Sequence, residues 1–190
     1  MRILALSGSL RAASSNSALL RVAARIAPSP MCVELFDELD KLPFFNPDLD
    51  RALDDPALPE TVRTLRSAIA SADALLISSP EYAHGVSGMF KNALDWLVGG
   101  SEMPAKPVAL INTTPHATHA IAALAETLRT MSVNLVDDAC LTIGLPRGVS
   151  DDELAANNGI ATPLLASLRA LEMASQVQVL RRAQDDNLPS

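Results

Sequence analysis

Short continuous apolar runs alternate with segments whose apolar residues recur at helical spacing. Residues 3–6, Ile-Leu-Ala-Leu, read as a buried strand, and residues 18–24 as the helix that follows. Residues 31–36 form a second strand. Residues 59–71 are helical by spacing, with Val62, Leu65, Ile69 and Ala72 on one face and Arg63 and Arg66 turned to water. The run 75–78 has the uninterrupted apolar character of a central parallel strand, buried on both faces. The next helix presents Phe90, Ala93, Leu94 and Leu97 on its apolar face, with Trp96 in the core or at a subunit interface. Residues 108–111 make a fourth strand. Thr114 then suits an N-cap and Pro115 the first helical position of a helix through Ile121, Leu124, Leu128 and Met131. A last strand over 133–143 is interrupted at Asp137-Asp138. A polar connection over 144–159 leads to a closing helix over 162–183, with a frayed tail from Gln184. Strands alternating with helices predict an α/β fold around a parallel sheet, and 190 residues without a linker or repeat predict a single domain spanning 1–190.

The connection over 37–59 is long, acidic and rich in proline. Phe44 and Phe45 lie in it and Phe36 at its edge, so it is expected to pack over the domain or against another subunit. Apolar residues make up 48% of the chain but aromatics only 3%, so Ala, Leu and Val must fill the core. The net charge of −7 argues against nucleic acid or an anionic membrane as partner. Cys32 and Cys140 sit beside apolar residues and are expected to be buried thiols, not a disulfide framework. With neither a signal peptide nor a membrane-length apolar run, a cytoplasmic location is expected.

Two stretches carry chemistry. The first, residues 7–17, reads Ser-Gly-Ser-Leu-Arg-Ala-Ala-Ser-Ser-Asn-Ser between the first strand and its helix. Unpaired N–H groups at the helix start, the hydroxyls of Ser9, Ser14, Ser15 and Ser17, the Asn16 amide and the Arg11 fork suit a phosphate. The bland reading is a rich helix cap. The stretch is not a P-loop, because Gly-Lys-Ser/Thr is missing, nor a dinucleotide loop, because Gly8 stands alone. The second stretch, 79–97, follows the third strand and holds the chain's single Tyr and single Trp.

Both stretches resemble the NADPH-dependent FMN reductase family. Gly8, Ser9, Arg11, Ser14 and Asn16 fill its pattern Gly-Ser-x-Arg-x-x-Ser-x-Asn. Pro80, Glu81 and Tyr82, and later Gly88, Lys91, Asn92, Ala93, Asp95 and Trp96, fill its second block; Ala83 stands where many members have Asn. Leu42, Pro43, Asn46, Asp48 and Leu49 match a further segment. The resemblance implies a flavodoxin-like three-layer sandwich with a five-stranded parallel sheet of order 2-1-3-4-5. In such sheets ligands bind past the carboxyl ends of strands 1 and 3, where the order reverses. It therefore implies that Ser9, Arg11, Ser14, Ser15, Asn16 and Ser17 hold the phosphate of FMN. The loop Pro80, Glu81, Tyr82, Ala83, His84, Gly85 would border the ring, with Thr113 and Thr114 in a third wall. Tyr82 either lines the ring or is a partly buried loop tyrosine, and His84 either faces substrate or is simply solvated.

The implied activity is electron transfer from NADPH or NADH through bound FMN to a small acceptor: free flavin, a quinone, an azo compound or chromate. No side chain need act as acid or base, because the flavin carries the redox chemistry. A homodimer or homotetramer is implied by the resemblance alone. The loop over 113–119 departs from the glycine-rich turn of many members, through Pro115, His116 and Thr118. That departure and Ala83 leave a non-enzymatic electron carrier or flavin-binding partner as the alternative. His116 and His119 at i, i+3 lack a third ligand nearby, so no metal is expected. A serine hydrolase using Ser9 or Ser87 lacks the Gly-x-Ser-x-Gly elbow.

Overall fold

The structure is a computed structural model, and it describes residues 1–146 and 148–185, with side chains through residue 180. Of the tail expected to fray from Gln184, Gln184 and Asp185 still belong to the closing helix, and the residues past 185 lie outside the described residues. In chain order the main elements are β1 (Arg2–Ser7), α1 (Ser15–Ile26), β2 (Cys32–Phe36), α2 (Glu60–Ser71) and β3 (Ala74–Ser78). A hairpin of β4 (Glu81–Tyr82) and β5 (Gly85–Val86) precedes α3 (Gly88–Val98) and β6 (Pro107–Asn112). Then come α4 (His119–Thr130), β7 (Asn134–Leu135), β8 (Leu141–Thr142), α5 (Asp151–Ala156) and α6 (Asn158–Asp185).

The main sheet is parallel and runs β2-β1-β3-β6-β7, with β8 pairing the far end of β6. This is the expected 2-1-3-4-5 order, since β4 and β5 form a separate two-stranded sheet. The fifth position is split. β7 pairs Pro107 and Val108, β8 pairs Ile111 and Asn112, and a 3-10 turn at Asp137–Ala139 separates them, where the paired aspartates predicted a break.

Alternation along each strand builds two cores. Leu4, Leu6, Leu75, Ile77, Val108 and Leu110 meet α2, α3 and α4, while Ile3, Ala5, Ala74, Leu76, Ala109 and Ile111 meet α1, α5 and α6. Trp96 is fully buried, and its indole N–H donates to the Pro43 carbonyl at 2.8 Å. Phe45 packs edge-on against it, with ring centroids 5.1 Å apart, so the long connection does lie on the domain. Phe44 departs from that expectation and is 92% exposed.

Several expectations are corrected. Arg66 is buried, because its guanidinium donates to Glu102 at 3.0 and 3.1 Å and to the Arg51 carbonyl at 2.9 Å, beside Asp50. Cys32 is exposed and shares a solvent-facing side of the outer strand β2 with Glu34. Cys140 is half-buried; burial pushes its thiol pKa up, although it accepts a hydrogen bond from the Leu110 N–H. The stretch over 144–159 contains α5, started by a capping box in which Ser150 and Glu153 bond reciprocally. Arg21 clamps Asp151 and Arg25 pairs with Asp152, which docks α5 on α1. The closing helix begins earlier than expected, and its Met173, Val177 and Leu180 face outward. Helix α4 starts at His119, not at Pro115, because Asn112 folds the intervening residues into a turn. Its Oδ1 accepts from the Thr114 N–H and its Nδ2 donates to the Ala117 carbonyl, each at 3.0 Å. Among the described residues, no helix is long and apolar enough to cross a membrane.

Arg66→Ala would leave Glu102 buried and unpaired. It is expected to cost about 3–5 kcal/mol, read as a lower midpoint in urea unfolding.

Candidate functional site

Strands β1 and β3 lie side by side in register, Ser7 opposite Ser78, so the loops after them emerge together. They are in backbone contact. The Gly8 N–H donates to the Ser78 carbonyl at 2.8 Å, and the Ser87 hydroxyl donates to the Gly8 carbonyl at 2.7 Å. A Cβ on Gly8 would stand 2.7 Å from Ser79 Cβ and 3.0 Å from its Cα, so only glycine fits this approach.

The first loop is shaped by its own hydroxyls. Ser14 is the N-cap of α1, its oxygen accepting from the Ser17 N–H, which leaves other first-turn N–H groups directed at the loop. Ser7 and Ser17 hydroxyls bond each other at 2.7 Å, and Ser9 Oγ accepts from the Arg11 N–H at 3.3 Å. Ser15 and Arg11 are exposed. Arg11, Ser9 and Ser17 line a cleft of about 310 Å³ that reaches Phe36 and Asp37 at the end of β2. Arg21 borders the same cleft but is held by both oxygens of Asp151, which raises its already high pKa.

Asn16 is placed differently from its neighbours. It is buried, and its Oδ1 accepts from Thr113 Oγ1 at 3.2 Å and lies 2.8 Å from Ser78 Oγ. Ser78 Oγ is also 2.8 Å from the Ile111 carbonyl, and its single proton serves one of these acceptors at a time. Asn16 thus ties the start of α1 to the ends of β3 and β6, with its Nδ2 remaining as a donor. Thr113 is buried in this network and Thr114 is exposed in the next turn.

The second loop is a hairpin that sequence reasoning did not anticipate. Glu81 pairs with Val86 and Tyr82 with Gly85, and the two residues between, Ala83 and His84, have φ of 49° and 61°. Positive φ at both central positions is the type I′ signature, normally announced by Asn-Gly; Ala83-His84 hides it. Pro80 leads into the hairpin, and Tyr82 projects from it 57% exposed. The Glu81 carboxylate points to α4, accepting from the Ala120 N–H at 2.8 Å. The His84 ring stacks on His119, centroids 4.3 Å apart and planes 14° apart. Among the described residues neither Ser9 nor Ser87 bonds a histidine, so no hydrolase dyad forms.

The structure therefore gathers Ser9, Arg11, Ser14, Ser15, Asn16 and Ser17 at one loop and 80–85 at its neighbour, with Thr113 joined through Asn16 to the start of α1 and the end of β3. The model of the NADPH-dependent FMN reductase family matches residues 1–143. The chain belongs to the NADPH-dependent FMN reductase family. Among curated relatives, it is 39% identical over 116 residues to a NAD(P)H-dependent FMN reductase of Pseudomonas aeruginosa, covering 60% of each chain. It is 35% identical over 109 residues to a quinone reductase of Escherichia coli, covering 57% of this chain and 55% of that one. The chain thus spans little more than half the length of these two relatives. Among solved structures, the flavoenzyme NAD(P)H:acceptor oxidoreductase FerB of Paracoccus denitrificans superposes with a TM-score of 0.67 at 27% identity, over 92% of this chain and 97% of its own. An azoreductase from Bacillus anthracis, 13% identical with a TM-score of 0.55 over 93% of this chain and 99% of its own, shares the fold.

Within the family motif Ala83 occupies a left-handed position better suited to Asn. Ala83→Asn is expected to stabilise this reductase-family chain by about 1 kcal/mol, read as a raised midpoint in thermal or urea unfolding.

Proposed function

We propose that the protein is an FMN-dependent NAD(P)H oxidoreductase that reduces a small acceptor such as a quinone, free flavin, azo compound or chromate. The observation that supports this is the contact between the two motif loops at Gly8, which brings the serine- and arginine-bearing loop beside the segment that carries the 80–85 hairpin. The donor set fits FMN: first-turn N–H groups of α1, the Ser9, Ser15 and Ser17 hydroxyls and the Arg11 guanidinium all donate, as a phosphate dianion requires. When bound, FMN supplies the two-electron chemistry between nicotinamide and acceptor.

The chain's own residues then bind and orient. Arg11 and the serines hold the phosphate. Backbone groups of residues 80–85 offer donors and acceptors to the polar edge of the ring, and Tyr82 borders its open side. Thr113 and Thr114 close the third side, and exposed Tyr82 and His84 face the approach of nicotinamide and acceptor. The family's named relatives reduce flavins and quinones, which supports the acceptor class. The exposed Phe44 and Met173 are apolar surface that a homodimer or homotetramer would cover, the assembly we propose for a cytoplasmic enzyme.

The purified protein is expected to take up FMN and to oxidise NADPH or NADH with menadione. Binding of FMN with negligible nicotinamide oxidation would leave an electron carrier instead. Arg11→Ala is expected to weaken FMN by roughly ten- to a hundredfold, measured by fluorescence titration; an unchanged dissociation constant would move the phosphate elsewhere.

A further inference from the structure

The hairpin after β3 and the turn after β6 come from separate parts of the chain, yet both are fastened to the first residues of α4. Thr118, the N-cap of α4, makes no side-chain capping bond. Glu81 of the hairpin supplies one instead, its Oε2 accepting from the Ala120 N–H at 2.8 Å. A carboxylate there also meets the positive end of the helix dipole. One turn further along the hairpin, His84 stacks face to face on His119, the first residue of α4. On the other side, Asn112 braces the turn that runs directly into α4, through Thr114 and Ala117.

We propose that Glu81, His84 and His119 are positioning residues: a clasp that joins the hairpin to the N-terminus of α4 and so sets the spacing between two walls of the flavin-ring site. The inference rests on the flavin-site reading for its consequence, not for its geometry. A strained type I′ turn built on Ala83 and His84 has little reason of its own to hold one position. Two contacts at opposite ends of the hairpin, one at Glu81 and one at His84, remove its freedom to swing away from α4. With the clasp closed, the hairpin and the Asn112–Ala117 turn act as one body. A cap that merely stabilised α4 would leave that spacing and the ligand affinity untouched.

The test uses the full chain with Glu81→Ala, Glu81→Gln, His119→Ala and His119→Phe. Gln keeps the oxygen that accepts from Ala120, and Phe keeps a stacking ring. Amide hydrogen exchange without ligand is expected to rise roughly tenfold over 81–86 in both alanine variants, and the FMN dissociation constant to rise by a similar factor as the competent state is depopulated. Gln and Phe are expected to restore both to within about threefold of the parent. With menadione the alanine variants should change KM more than kcat. Unchanged exchange over 81–86 in the alanine variants overturns the clasp, and so does failure of Gln and Phe to rescue. If Glu81→Ala does not fold, the His119 pair decides. If the parent protein binds no FMN, the flavin reading fails by itself, and the exchange measurement still decides whether the clasp exists.

Discussion

Everything at the working end of the molecule depends on two backbones meeting where no side chain fits. Gly8 lies against Ser78 and Ser79, donating its N–H to one and leaving no room for a Cβ beside the other. Parallel strands in register bring the two loops out at the same level, but register alone would leave them a strand spacing apart. The glycine closes that gap, and Ser87 fastens it from the far side of the hairpin through the Gly8 carbonyl. Around this point the side chains divide their labour. Ser14 and Asn16 turn inward to hold helix and strands, while Arg11 and Ser15 are exposed on the loop.

The sheet was legible because its inner strands are built on apolar runs and its helices are amphipathic. Both signals come from burial, and burial follows residue type. Ala5, Ala74 and Ala109 on one face and Leu4, Leu75 and Val108 on the other alternate as a doubly covered strand requires. The serine-rich loop was legible for a different reason: more hydrogen-bonding side chains follow β1 than one helix cap uses. The interrupted last strand could be read from Asp137 and Asp138, which have no place in a central ladder.

What escaped was written in partnerships and not in residue type. Arg66 looks like a solvent-facing arginine until Glu102, 36 positions away, folds back beside it. Cys32 is apolar by type, but an outer strand has one open face. The Ala83-His84 turn carries none of the usual turn residues, so neighbouring structure must hold its backbone in place. Helix α5 did announce itself through Ser150 and Glu153, yet six residues are too few to show a period. The start of α4 was misplaced because its cap comes from Glu81, a residue that no local pattern around Thr114 or Thr118 contains.

The divided fifth strand has a bearing on how the molecule breathes. Two residues of β7 and two of β8 hold this side of the sheet, where the strands further in contribute five or six each. The cheapest local unfolding therefore begins at that margin and reaches Ile111 and Asn112, the stem of the turn that runs into α4. The loop over 8–17 is stitched to β1 and β3, inner strands that each pair with a neighbour on both sides. A flavin with its phosphate held there would have its anchored end on doubly paired strands and its other end nearer this divided margin.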